Sequence, residues 1–118
     1  MNTILVIDDD PAVVQVISDI LHEEGYAVAA ARDGLEGLRK ATRQPPDLIL
    51  CDERMPSLAG HEVCQKLYSD PQTRAIPVVM MSAHSYEVVP GTPNCLMFLR
   101  KPFHYQTLVN TVEDVIGA

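Results

Sequence analysis

Short stretches of continuous apolar residues alternate along the chain with segments whose apolar residues recur at helical spacing. The short stretches are typical of strands that are covered on both faces of a parallel sheet. They cover residues 3–7, 26–30, 48–51, 76–81 and 95–99, the second being the weakest pattern. Strands that alternate with helices predict an α/β fold, in which a doubly wound parallel sheet carries helices on both faces.

Between the strands, apolar residues three and four positions apart indicate amphipathic helices. The clearest pattern covers residues 13–21, after a proline that suits the first helical turn. Gly25 is placed to end this helix in a left-handed conformation. Weaker patterns predict helices near residues 35–41, 63–67 and 108–116. Prolines and a glycine between the last two strands restrict any helix there to residues 85–89, so we expect it to be short or irregular.

Length and charge limit the function classes. The chain has 118 residues and a formal net charge of −7, which fit one acidic domain and disfavour direct binding of nucleic acid. No apolar run approaches the roughly 20 residues of a membrane span, and no basic leader precedes the first strand. We therefore expect a cytoplasmic protein without membrane insertion. Its three cysteines, Cys51, Cys64 and Cys95, are expected to be reduced and buried.

Polar residues that suit phosphoryl chemistry follow the predicted strands. They are Asp8, Asp9 and Asp10 after the first strand, then Asp52, Ser82 and Lys101. The carboxyl ends of parallel strands meet at one edge of a sheet, which is where α/β proteins bind ligands. Clustered carboxylates favour a hard cation such as Mg²⁺, and a carboxylate can itself accept a phosphoryl group. The residue set predicts metal-assisted phosphoryl transfer to an aspartate.

Five blocks of residues together resemble the receiver domain of two-component response regulators. The blocks are residues 4–11, residues 47–52, Met55-Pro56 with Gly60, residues 77–83 and residues 101–103. The resemblance covers nearly the whole chain and implies five parallel strands in the order 2-1-3-4-5. It also implies that residues 1–118 form one receiver domain, and we expect no output domain.

The resemblance assigns roles at the expected site. Asp52 would be the phosphoacceptor, and Asp8, Asp9, Asp52 and the backbone carbonyl of Arg54 would hold Mg²⁺, with Mn²⁺ as the alternative ion. Lys101 and Ser82 would stabilise the phosphoryl group. Ser82 and Phe98 would act as switch residues, and Lys101–Pro102 matches a peptide bond that the family holds in the cis form.

The expected function is therefore signalling rather than enzymatic turnover. A stand-alone receiver would take its phosphoryl group from a sensor histidine kinase or a histidine phosphotransfer protein. The resulting change in conformation would control a downstream effector protein, and the resemblance leaves a homodimer open. Arg54 lies two residues after the phosphoacceptor, so we expect it to alter the rate of autodephosphorylation.

The sequence alone leaves other interpretations open. The chain could be a metal-dependent phosphatase with Asp8 as nucleophile and Asp10 as acid and base, or a receiver-like scaffold that is never phosphorylated. Asp10 could also serve only as a helix cap, and Phe98 only as a core residue. The four histidines share no metal-ligand spacing and are expected at the surface.

Overall fold

Five parallel strands form one sheet in the order β2-β1-β3-β4-β5, as predicted. The computed structural model describes residues 1–83 and 92–117. The strands are β1 (Thr3–Ile7), β2 (Ala27–Ala31), β3 (Leu48–Asp52), β4 (Val78–Ser82) and β5 (Cys95–Arg100). Every residue of β3 and β4 is buried, which explains why their sequences are continuously apolar rather than alternating.

The described residues form four helices, α1 (Pro11–Glu23), α2 (Gly34–Arg43), α3 (Gly60–Ser69) and α4 (Tyr105–Ile116). Asp10 and Asp33 begin α1 and α2, because each aspartate side chain accepts a backbone N–H of the first turn. Gly25 follows α1 with a φ of 92°, the left-handed conformation that was predicted for it. The helix expected within residues 85–89 lies outside the described residues.

Alternate residues of the strands face two separate hydrophobic layers. On one face, β1, β3 and β4 pack against α2 and α3 through residues such as Ile7, Ile49 and Leu67. On the other face, the same strands pack against α1 and α4 through residues such as Val6, Ile17 and Leu108. The two layers hold the strands rigidly and fix the positions of the residues that follow them.

Strand boundaries differ from the prediction by one or two residues. The fourth strand begins at Val78 rather than at Ile76, whose N–H donates to Thr73 in a turn. The second begins at Ala27, because the N–H of Tyr26 still donates to Leu21 at the end of α1. Within residues 1–83 and 92–117, none of the helices is long and apolar enough to span a bilayer.

Candidate functional site

Three carboxylates meet where β1 and β3 end. Ile7 of β1 is paired with Cys51 of β3, so the residues that follow them, Asp8 and Asp52, become neighbours. Carboxylate oxygens of Asp8, Asp9 and Asp52 all lie within 4.8 Å of one another. The Asp8 side chain is only 1% exposed, and one of its oxygens accepts the N–H of Asp10 at 2.9 Å. This bond holds the first carboxylate in place at the turn that leads into α1.

Lys101 provides the positive charge of the cluster. Its Nζ donates to Oδ2 of Asp8 at 2.7 Å and to Oδ1 of Asp52 at 3.1 Å, and its side chain is 18% exposed. The backbone N–H of Lys101 donates to the carbonyl oxygen of Ser82 at 2.7 Å. Residues 93 positions apart are therefore joined at one edge of the sheet.

The ionisation of the cluster reflects burial and mutual repulsion. Burial and then the Asp8 carboxylate raise the pKa of Asp52 from 3.8 to about 6, although Lys101 opposes the change. Partial burial alone would lower the pKa of Lys101, but the Asp8 and Asp52 carboxylates raise it above its usual value. Lys101 is consequently an ammonium at neutral pH, and Asp52 is held as a carboxylate at an energetic cost.

These side chains line an open cleft of about 220 Å³. The cleft is lined by Asp8, Asp9, Asp10, Asp52, Arg54, Ser82, Ala83 and Lys101. Ser82 is buried at the end of β4, whereas Arg54, which follows β3, is exposed. The structure thus brings the predicted acidic, hydroxyl and lysine residues together around one space that is large enough for a phosphoryl group.

The donor set fits a hard divalent cation. Three carboxylates and one ammonium leave a formal charge of −2 in the cluster, and all the acidic ligands are oxygen atoms. Mg²⁺ prefers such oxygen ligands and retains several waters, which the open cleft accommodates. The residues present therefore match the chemistry of a magnesium site.

Phe98 and Pro102 are not among the residues that line the cleft. Phe98 is partly buried on β5 and packs against the hydrophobic layer under α2 and α3. The Lys101–Pro102 peptide bond is cis. Asp10 lies at the rim of the cleft, where its side chain accepts the N–H of Ala12 and caps α1.

Sequence reasoning missed a contact between Glu53 and His61 next to the site. The Glu53 side chain is 5% exposed, and its Oε2 lies 2.7 Å from Nδ1 of His61. The other oxygen, Oε1, accepts the backbone N–H of His61 at 3.1 Å. His61 lies at the surface as expected, with 40% of its side chain exposed, but it is paired with Glu53, while His84 lies outside the described residues. Glu53 fixes the loop after Asp52 to the first turn of α3.

Comparison with known proteins matches this arrangement. The family model of the response regulator receiver domain matches residues 4–113. The DNA-binding dual master transcriptional regulator RpaA of Synechocystis sp. is 45% identical over 119 residues, which are 98% of this chain. These residues are 49% of RpaA, so the chain spans about half the length of that relative.

Two similar proteins are comparable to the chain in length. Protein PilH of Pseudomonas aeruginosa is 31% identical over 120 residues, and the match covers 99% of both chains. The receiver domain of sensor histidine kinase PA1611 from Pseudomonas aeruginosa has a TM-score of 0.89 and 28% identity. That match covers 99% of this chain and 98% of the other, whose structure has a magnesium ion coordinated in the active-site cleft.

Proposed function

The chain belongs to the response regulator receiver domain family, and we propose that its Asp52 accepts a phosphoryl group in a Mg²⁺-dependent reaction. The phosphoryl donor is a phosphohistidine of a sensor histidine kinase or of a histidine phosphotransfer protein. One observation carries this proposal, namely the cluster of three carboxylates at one edge of the sheet, in which Lys101 bridges Asp8 and Asp52. The single sheet supports the further proposal that residues 1–118 are one receiver domain.

Asp52 has the position and charge of the nucleophile. One of its carboxylate oxygens attacks the phosphorus atom, and the new O–P bond forms as the P–N bond to the imidazole breaks. The imidazole nitrogen leaves with the bonding electron pair. Because the pKa of Asp52 is about 6, the carboxylate is largely ionised at pH 7 and available for attack.

Asp8, Asp9, Asp52 and the backbone carbonyl of Arg54 are the proposed ligands of Mg²⁺, with Mn²⁺ as an alternative ion. When bound, the metal ion supplies positive charge that stabilises the transferring phosphoryl oxygens. Asp8 is oriented by Lys101 and by the N–H of Asp10, so its carboxylate is fixed before any ligand arrives. Such preorganisation reduces the cost of assembling the charged site during the reaction.

Lys101 and Ser82 stabilise the product. Phosphorylation replaces the single negative charge of Asp52 with a group of about −2, and the Lys101 ammonium already lies 3.1 Å from Asp52. Ser82 lies at the end of β4 in the same cleft, where its hydroxyl can donate to a phosphoryl oxygen.

Ser82 and Phe98 are the proposed switch residues, because phosphorylation shifts a two-state equilibrium only if it favours one conformation. Attraction of the Ser82 hydroxyl to the phosphoryl group would draw in the end of β4. Phe98 lies on β5, paired with Met80 of β4, so a shift of β4 is transmitted to its packing. A downstream effector protein would recognise the altered surface.

The experiment is phosphorylation of the purified chain by acetyl phosphate or phosphoramidate with Mg²⁺, measured by intact mass. Wild type should gain one phosphoryl group that is labile in base, and Asp52→Asn should gain none. Asp10→Asn is the matched control, because Asp10 lies at the same cleft but caps α1, and it should still be phosphorylated. Phosphorylation of Asp52→Asn at the wild-type rate would refute the proposal.

The same variants test the phosphatase alternative. That mechanism needs Asp10 as a free acid and base, whereas its carboxylate accepts the N–H of Ala12 at 2.9 Å. Steady turnover of a small phosphate ester that is lost in Asp10→Asn but kept in Asp52→Asn would favour the phosphatase. A stoichiometric acyl phosphate on Asp52 would favour the receiver.

A further inference from the structure

The acidic residue that follows Asp52, Glu53, is buried but does not belong to the carboxylate cluster. In the part of the chain that the structure describes, the acidic side chains that meet around one point are those of Asp8, Asp9 and Asp52. The Glu53 side chain is 5% exposed and is not among those that line the cleft. Its carboxylate therefore has another role, although Glu53 lies between Asp52 and Arg54 in the chain.

Both oxygens of the Glu53 carboxylate contact one residue of α3. Oε1 accepts the backbone N–H of His61 at 3.1 Å, and Oε2 lies 2.7 Å from Nδ1 of the same residue. His61 is the second residue of α3, and the N-cap residue Ala59 has no side-chain oxygen that could accept its N–H. Glu53 thus caps the helix in place of Ala59, and a carboxylate is favourable at a helix N-terminus.

The main chain of Glu53 is held from two further directions. Its N–H donates to the carbonyl oxygen of Met81 in β4 at 2.9 Å, and its carbonyl oxygen accepts the N–H of Gly60 at 2.9 Å. Together with the side chain, these bonds fix Glu53 to β4 and to the first turn of α3. They restrict the main chain on both sides of Glu53, at Asp52 and at Arg54.

We propose that Glu53 is a positioning residue for the magnesium site. By holding the first turn of α3, its side chain keeps the Asp52 carboxylate and the Arg54 carbonyl group where they can bind Mg²⁺. This inference rests on the proposed function, which assigns both groups as ligands.

The geometry that Mg²⁺ requires makes this role measurable. Mg²⁺ demands nearly ideal octahedral coordination, so a small displacement of one ligand weakens binding. Removal of a residue that orients metal ligands typically lowers metal affinity 10–100-fold, so loss of the Glu53 side chain should weaken Mg²⁺ binding about tenfold.

A set of variants separates position from charge and from helix stability. Glu53→Ala removes both contacts with His61 but leaves the main-chain bonds, so we expect it to fold. Glu53→Gln removes the charge and keeps an oxygen that accepts the N–H of His61. His61→Ala removes only the imidazole contact. Glu62→Ala is the matched control, because it removes a similar bond of the same turn, in which Oε1 of Glu62 accepts the N–H of Ala59 at 2.9 Å.

The experiment has two readouts on the purified full chain. The Mg²⁺ dissociation constant is measured without a phosphoryl donor, from the amide chemical shifts of the cleft residues. The salt concentration is about 0.15 M, at which exposed charges more than about 8 Å apart are largely screened. The initial rate of Asp52 phosphorylation by acetyl phosphate is then measured against Mg²⁺ concentration, which gives a maximum rate and a half-saturating concentration.

Glu53→Ala should raise the dissociation constant and the half-saturating concentration of Mg²⁺ about tenfold. Its maximum rate should change less than about twofold, because saturating Mg²⁺ restores the occupied site. Glu53→Gln and Glu62→Ala should bind Mg²⁺ within about twofold of wild type, and His61→Ala should bind about threefold more weakly than wild type.

Several results would overturn the inference. One is equal Mg²⁺ affinity in Glu53→Ala and wild type. Another is an equal loss in Glu53→Gln, which would assign the effect to charge, or in Glu62→Ala, which would assign it to general loosening of α3. If Glu53→Ala does not fold, wild-type affinity in His61→Ala overturns it. Failure of the proposed function is a different result, in which Mg²⁺ affinity depends on Glu53 but Asp52 is never phosphorylated.

Discussion

Replacement of Asp52 by asparagine should stabilise the metal-free protein at neutral pH. The Asp52 carboxylate is 10% exposed and lies beside Asp8, so the folded state holds its negative charge unfavourably. Asparagine has nearly the same shape and retains an oxygen that accepts from Lys101. The substitution therefore removes the charge and preserves the packing of the site.

The size of the effect follows from the pKa of Asp52. That pKa is about 6 in the folded protein and 3.8 in the unfolded chain, and a tenfold change in acid constant is worth about 1.36 kcal/mol. Ionisation of Asp52 thus lowers the free energy of unfolding by about 3 kcal/mol above pH 6 and leaves it unchanged below about pH 4. The pKa of about 6 already includes the attraction of the Lys101 ammonium, so we expect the free energy of unfolding to rise by about 3 kcal/mol at pH 7.5. Each kcal/mol corresponds to about 4 °C in Tm.

The assay is urea unfolding of both proteins between pH 4 and pH 8 in the presence of a chelator. The folded state binds the Asp52 proton more tightly than the unfolded chain does, so the wild-type free energy of unfolding should fall relative to the variant as pH rises from 4 to 6. Asp10→Asn is the control, and it should differ by about 0.5 kcal/mol or less, because asparagine is an equally good cap. An Asp52→Asn variant that is no more stable than wild type at pH 7.5, or a difference independent of pH, would refute the reasoning.

Three other changes test the site. Millimolar Mg²⁺ should raise the Tm of wild type in proportion to the logarithm of the Mg²⁺ concentration, and the rise should be smaller in Asp9→Asn. Equal Tm shifts in the two proteins would argue against Asp9 as a ligand. Arg54→Asn should accelerate loss of the phosphoryl group several-fold, because Arg54 lines the cleft and its loss should give water freer access to the phosphoryl group. An unchanged rate of hydrolysis would contradict this role. Gly60→Ala should cost about 2–3 kcal/mol in urea unfolding, since its Cβ would lie 2.5 Å from the carbonyl oxygen of Asp52. A loss below about 0.5 kcal/mol would show that α3 moves freely away from β3.

The strand ends were predictable because they depend on local patterns. A buried parallel strand is continuously apolar, so the first polar residue after it marks the edge where ligands bind. This rule selects Asp8, Asp52 and Ser82 from the sequence, while Lys101 is the second polar residue after the fifth run, and the structure brings all four around one cleft. Strand starts were less accurate, because turns such as that at Ile76 extend an apolar run beyond the strand.

Contacts between residues that are distant in the chain leave no comparable local pattern in the sequence. No sequence pattern distinguishes Glu53 from the other acidic residues, and the position of α3 explains why it is buried against His61. The hydrogen bond from the Asn94 side chain to the carbonyl oxygen of Cys64 likewise depends on how α3 packs on the sheet, which no period in the sequence reports. Tertiary packing decides these pairs, so they required coordinates.

The backbone bond from Lys101 to Ser82 couples two groups that would otherwise be independent. Because this N–H donates to the Ser82 carbonyl at 2.7 Å, a displacement of the end of β4 pulls the main chain of Lys101 with it. The main-chain positions that carry the ammonium and the hydroxyl are therefore linked. A compound bound between β4 and β5 at this point would break that hydrogen bond and separate the two residues, while the three carboxylates, which lie on other segments of the chain, would keep their places.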